Sequence, residues 1–265
     1  MLIRRLVSLS VAFAGMFAVL IAPGVATAGA VPTLKKQIQY VVIPHPDDET
    51  ESWAMIANSS QNYPVFMLMT QGDHTGFCGH EEQLRAYQPL AGELPPIPEP
   101  AFKDFAACDL ARVNSWNLFL DQMAVIDPFL DVPAFVGTFP LTVPCGDCSR
   151  PERSPEILSP QGCKDGVLSR VPAMTYDLYV GVSSARMVFN FGDCDLTAGE
   201  VSAAVRQARA NTKAGLLPLK QEYGIIGASF YNKQQGTGCS FYDHPDHGAI
   251  HVALYNVDFG TPGPQ

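Results

Sequence analysis

The sequence predicts a mostly parallel α/β layer structure. Apolar runs at 37–44 and 64–70 each end abruptly in a polar turn. A helix-like segment, 49–59, lies between them, as a crossover between parallel strands requires. Strand-like and helix-like stretches then recur to the end of the chain, the signature of an α/β fold.

The elements follow in order. Arg4 and Arg5 precede an apolar run from about Leu6 to Ile21, and Ala26-Thr27-Ala28 supplies a small-x-small cleavage site. Residues 1–28 therefore read as a secretory signal peptide, and 29–265 as the domain that remains. Gln37 to Pro44 is the first strand, and Trp53, Ile56 and Ala57 set a helical apolar spacing after it. Pro64 to Thr70 is the second strand, ending in Gln71-Gly72-Asp73-His74. Val113, Trp116, Leu120 and Met123 form the stripe of a helix that Pro128 stops. Residues 128–172 show no periodicity and are rich in proline and cysteine, so they read as an irregular insert. Thr175–Val182 and Arg186–Phe191 are strand-like. Thr197 and Glu200 make a capping box before a helix reaching about Ala214. Ile225–Tyr231 is a further strand, and 246–256 a last helix.

Composition narrows the function. The formal charge is −9, and the leader holds two arginines and no acids, so its removal gives −11. An acidic surface argues against nucleic acid and anionic membrane as partners. All seven cysteines lie beyond residue 28. In an exported chain they imply disulfides, with at least one thiol left over or paired between chains. Cys145, Cys148 and Cys163 suit a stapled loop, with a metal knuckle as the alternative. No Gly-x-Gly-x-x-Gly follows the first strand and no Gly-x-Ser-x-Gly elbow occurs, which removes the support for a dinucleotide enzyme and weakens a serine hydrolase.

Two clusters carry chemistry: Pro44-His45-Pro46-Asp47-Asp48-Glu49 and Tyr242-Asp243-His244-Pro245-Asp246-His247. Imidazole nitrogen and carboxylate oxygen are zinc ligands, and catalytic zinc sites use three protein ligands. His45 and Asp48 can face one ion from a tight turn, with His247 completing the set and Asp47 left beside a water as proton acceptor. His251 competes with His247, because the two share a helix face. Capping of the following helix competes as a role for the adjacent aspartates. The same ligands suit iron(II).

The two motifs, in this order, resemble the LmbE/PIG-L family of zinc-dependent de-N-acetylases. The similarity spans most of 37–256, apart from the irregular segments. It implies a Rossmann-like three-layer fold with helices on both faces of the sheet. It implies His45, Asp48 and His247 as zinc ligands and Asp47 as general base. His244 would stabilise the oxyanion or act as acid, Asp246 would orient it, and Tyr242 would approach the reacting carbonyl. Arg85 and Arg112 are alternative substrate-binding arginines, and Asp73 and His74 are further candidate contacts. The chain departs from the family at Thr50-Glu51-Ser52-Trp53, where a glycine-rich run is usual. The expected activity is removal of an N-acetyl group from an amino-sugar substrate, outside the cell or in its envelope, with no stable membrane partner. A larger amide as substrate, and a non-catalytic sugar-binding protein, are the alternatives.

Overall fold

Alternate residues of the first strand face opposite ways, and that alternation builds the layers. β1 (Gln37–Ile43) sends Tyr40 and Val42 into one apolar core and Val41 and Ile43 into another. A parallel strand buried on both faces needs helices on each side. The computed structural model, which describes residues 36–72, 105–143, 174–194, 196–228 and 244–264, supplies both sets. From α1 (Glu49–Ile56) and α2 (Phe105–Ile126), Ile56, Trp116 and Leu120 pack with Val41 and Ile43. From α3 (Ala198–Ala214) and α4 (Pro245–Asn256), Val201, Ala204, Ile250 and Ala253 pack with Tyr40 and Val42.

The other strands are β2 (Asn62–Thr70), β3 (Ala134–Pro140), β4 (Thr175–Val180), β5 (Ala185–Phe191) and β6 (Glu222–Gly227). They form one sheet in the order β3-β4-β5-β2-β1-β6. The four strands β5, β2, β1 and β6 pair in parallel, whereas β3–β4 and β4–β5 pair antiparallel. The sheet is therefore mixed, and the expectation of a mostly parallel sheet needs that correction. The cause is local: only a tight turn joins β4 to β5, with the Gly181 amide donating to the Ser184 carbonyl at 2.9 Å. A turn so short can only join antiparallel neighbours.

β3 also corrects the reading of 128–172 as irregular. It is an edge strand with most of its residues exposed, so no buried face imposes alternation on its sequence. Residues 144–172, with the cysteines at 145, 148 and 163, lie outside the described residues, as does the leader. β6 starts three residues before the expected strand because Glu222 is held in place. Its carboxylate accepts from Arg209 at 2.8 and 2.6 Å and from the Tyr40 hydroxyl at 2.8 Å. The capping box forms: Thr197 Oγ1 accepts the Glu200 amide at 3.1 Å, and Glu200 Oε2 accepts the Thr197 amide at 2.7 Å.

Two contacts fix the helices that flank the strand ends. Arg186 of β5, buried, donates to Asp121 Oδ1 at 2.6 Å and Asn117 Oδ1 at 3.0 Å, which anchors α2. Gly227 lets α4 close on β6, since a Cβ there would lie 2.6 Å from Leu254 Cδ1 and 2.8 Å from Ile250 Cγ2. Gly227→Val is expected to cost about 1–3 kcal/mol by overpacking. Thermal melts should show a fall of at least a few degrees; an unchanged melting temperature would contradict this close approach.

Candidate metal centre

Parallel strands bring their carboxyl ends to one edge of the sheet, and open α/β sheets hold ligands there, where the strand order reverses direction. β1 is such a point, with β2 beside it on one side and β6 on the other. His45 and Asp48 leave β1, Gly72 follows β2, Asp193 follows β5, and His244, Asp246 and His247 sit at the start of α4 beyond β6.

The acids and histidines among them gather around the imidazole of His45, which is buried. Its Nδ1 lies 3.0 Å from Asp48 Oδ2. Its Nε2 lies 3.1 Å from Asp193 Oδ1 and 3.1 Å from Asp246 Oδ2. On the far side of Asp48, His247 Nε2 lies 3.3 Å from the same Oδ2. Burial alone would depress the His45 imidazole, but hydrogen bonds to Asp193, Asp246 and Asp48 hold it well above its ordinary value. Burial opposes ionisation of Asp48 as well, yet His247 and His45 hold its carboxyl far below the usual range. Asp246 is fully buried, and that burial pushes its carboxyl up to about 6.

The two adjacent aspartates have separate fates. Asp48 takes the N-cap position of α1 but makes no side-chain cap hydrogen bond, so capping does not account for it. Its Oδ2 instead accepts the His45 amide at 3.1 Å and turns inward. Asp47 turns outward, its side chain 73% exposed. Its φ is 125°, a conformation that costs a residue with a Cβ about 1–3 kcal/mol and persists only where the surroundings impose it.

His244 is the N-cap of α4. Its Nδ1 accepts the Asp246 amide at 3.3 Å, which leaves the neutral ring's proton on Nε2. Burial, then the charge of His45, pulls its pKa down to about 3, so it is neutral at pH 7. The sequence reading has Asp246 orienting His244. The carboxylate lies 3.1 Å from His45 Nε2 and 3.9 Å from His244 Nδ1, and it is held by the Cys194 amide at 2.9 Å and the Leu196 amide at 3.0 Å. Cys194 is disulfide-bonded, with its Sγ 3.8 Å from His244 Nε2.

Of the other expected site residues, His251 is in neither metal-ligating group and stacks on Tyr255. Arg112 reaches the β1 turn, with Nη2 3.1 Å from the Pro46 carbonyl and 3.7 Å from Asp47 Oδ1. Asp73, His74, Arg85 and Tyr242 lie outside the described residues. Asp193 is the residue the sequence reading missed. Its one trace in the sequence is an acid two residues after the strand Ala185–Phe191.

Two overlapping groups have ligand atoms close enough to hold a metal ion: His45, Asp48 and His247, and His45, Asp193, His244 and Asp246. They share His45 through opposite ring nitrogens. The group alone does not determine which metal. Among the described residues no helix is long and apolar enough to cross a membrane. No family model matches the chain, and no curated protein or solved structure matches it.

Either group needs a bare nitrogen on His45, whereas the metal-free ring keeps its proton to an unusually high pH. Metal binding must therefore release a proton, and affinity must rise as pH rises toward the raised His45 pKa. Calorimetry of zinc binding in two buffers of different ionisation heat, at pH 6 and pH 8, is expected to show proton release and tighter binding at pH 8. A pH-independent affinity would exclude His45 as a ligand.

Proposed function

We propose that the protein is an exported metal-dependent hydrolase that removes an N-acetyl group from an amino-sugar substrate, as its resemblance to LmbE/PIG-L de-N-acetylases implies. The observation that carries the reading is the convergence of His45 Nδ1, Asp48 Oδ2 and His247 Nε2 beside the outward carboxylate of Asp47. Ligands held tetrahedrally at zinc–nitrogen distances of about 2.0–2.1 Å lie about 3.3 Å apart. The two contacts on Asp48 Oδ2, 3.0 and 3.3 Å, suit that spacing. Two neutral imidazoles and one carboxylate are also a catalytic rather than a structural donor set. The mixed α/β sheet is compatible with the Rossmann-like fold of that family.

The second group suits a supporting role better. Its carboxylates already accept backbone amides, Asp193 from Cys194 at 3.0 Å and Asp246 from Cys194 and Leu196. A ligating histidine normally gives its other nitrogen to a carboxylate, which fixes the ring and its tautomer. Asp193 and Asp246 do this for His45.

Zinc, or iron(II), would supply Lewis-acid activation of water and of the amide carbonyl. The chain supplies the proton traffic. Asp47 accepts a proton from the attacking water, a role suited to a carboxylate on the open side of the ligands whose proton affinity is raised by desolvation and by the Asp48 charge. His244, neutral with its proton on Nε2, donates a hydrogen bond to the developing oxyanion. Its low pKa favours that role over service as a charged acid.

The test is acetate release from a panel of N-acetylated amino sugars by the metal-loaded protein. Asp47→Asn is expected to lower kcat by at least about 100-fold while metal content holds at one per chain. Full activity in that variant would overturn the reading. Metal titration separates the two groups. His247→Ala should abolish tight binding, whereas Asp193→Asn should weaken it about 10–100-fold, as loss of a supporting carboxylate does. The opposite ranking would move the ion to the second group.

A further inference from the structure

The unusual backbone of Asp47 needs a cause, and α2 provides one. Arg112 Nη2 donates to the Pro46 carbonyl at 3.1 Å and approaches Asp47 Oδ1 at 3.7 Å. One helical turn on, Trp116 Nε1 donates to Glu49 Oε2 at 3.0 Å. That same oxygen accepts the Asp47 amide at 3.0 Å. Residues i and i+4 share a helix face. Both polar groups of the peptide unit between Pro46 and Asp47 are thus held by neighbouring side chains of one helix, the carbonyl directly and the amide through Glu49.

The surroundings are built for this grip. Trp116 and Glu49 are buried, at 2% and 3% exposure. Gly72, at φ +70°, leaves room for the guanidinium, because a Cβ there would lie 2.7 Å from Arg112 Nε and 2.9 Å from Nη2. α2 itself is fastened to the sheet by Arg186 through Asn117 and Asp121.

We infer that Arg112, Trp116 and Glu49 are positioning residues: they clamp the Pro46–Asp47 peptide at positive φ, so that Asp47 faces the substrate side while Asp48 faces inward. The inference rests on Asp47 being the base of the reading above. It gives Arg112 a different task from the substrate contact the sequence suggests. An ordinary L-residue relaxes toward negative φ when released. Without the clamp, the carboxylate of Asp47 moves away from the reacting water, and a displacement of about 1 Å costs on the order of 100-fold in rate.

Hydrogen exchange at the Asp47 amide, measured by NMR on metal-free protein, tests the clamp without reference to activity. Arg112→Ala and Trp116→Phe are each expected to speed that exchange at least about tenfold, consistent with a lost buried hydrogen bond, with metal stoichiometry unchanged. In the deacetylase assay both should lower kcat on the order of 100-fold and leave KM within about twofold. Unchanged exchange in both variants overturns the clamp. A raised KM with unchanged kcat in Arg112→Ala overturns it too, and returns Arg112 to substrate binding. Should Arg112→Ala fail to fold, Trp116→Phe decides alone. If the wild-type protein releases no acetate from any substrate, the functional reading fails, and the exchange data still decide whether the peptide is clamped.

Discussion

A single imidazole between three carboxylates organises this end of the molecule. His45 leaves a strand buried on both faces, so its ring starts from a fixed backbone. Neither ring nitrogen faces water: Nδ1 meets Asp48, and Nε2 meets Asp193 and Asp246. A buried carboxylate is costly unless it is hydrogen-bonded or paired. Each of these has partners, and the partners come from different parts of the chain. Asp48 is on the same turn, Asp193 follows β5, and Asp246 opens α4. The geometry of the site is thereby tied to the order of the strands, because only a sheet with β5 and β6 on either side of β2 and β1 brings these acids together.

The division of labour between the adjacent aspartates follows from backbone conformation. Successive residues in extended chain would point to opposite sides. Here a tight turn does the same, with Asp47 at positive φ and Asp48 in helical geometry at the N-cap. One carboxylate becomes a buried acceptor between two imidazoles, and the other stays in contact with solvent. Neither fate is a property of aspartate as such.

Much of this was legible in the chain. An apolar run ending in His-Pro-Asp-Asp-Glu reads as a buried strand delivering polar groups to its end, and His45 and Asp48 do lie just past β1. His247 was favoured over His251 in the sequence, and among the described residues it is His247 that falls in a group with His45 and Asp48. Asp193 was missed because a single acid after a strand is common and carries no local pattern. The contact of Asp246 with His45 left no trace because the two lie 201 residues apart in sequence, a distance no motif encodes. β3 escaped for the opposite reason, having too little burial to leave a periodic trace.

The same separation has a consequence for how the protein would assemble. Asp48 and His247 belong to opposite ends of the described chain, and their meeting closes a loop through nearly the whole sheet. Closing so long a loop is entropically expensive at the moment it happens, although the expense grows only slowly with length. An ion held by both ends would act as a non-covalent cross-link that exists only once β1, β6 and α4 have docked. Its binding free energy would then report on completion of the entire fold, and withdrawal of the ion would loosen the two chain ends together rather than one loop.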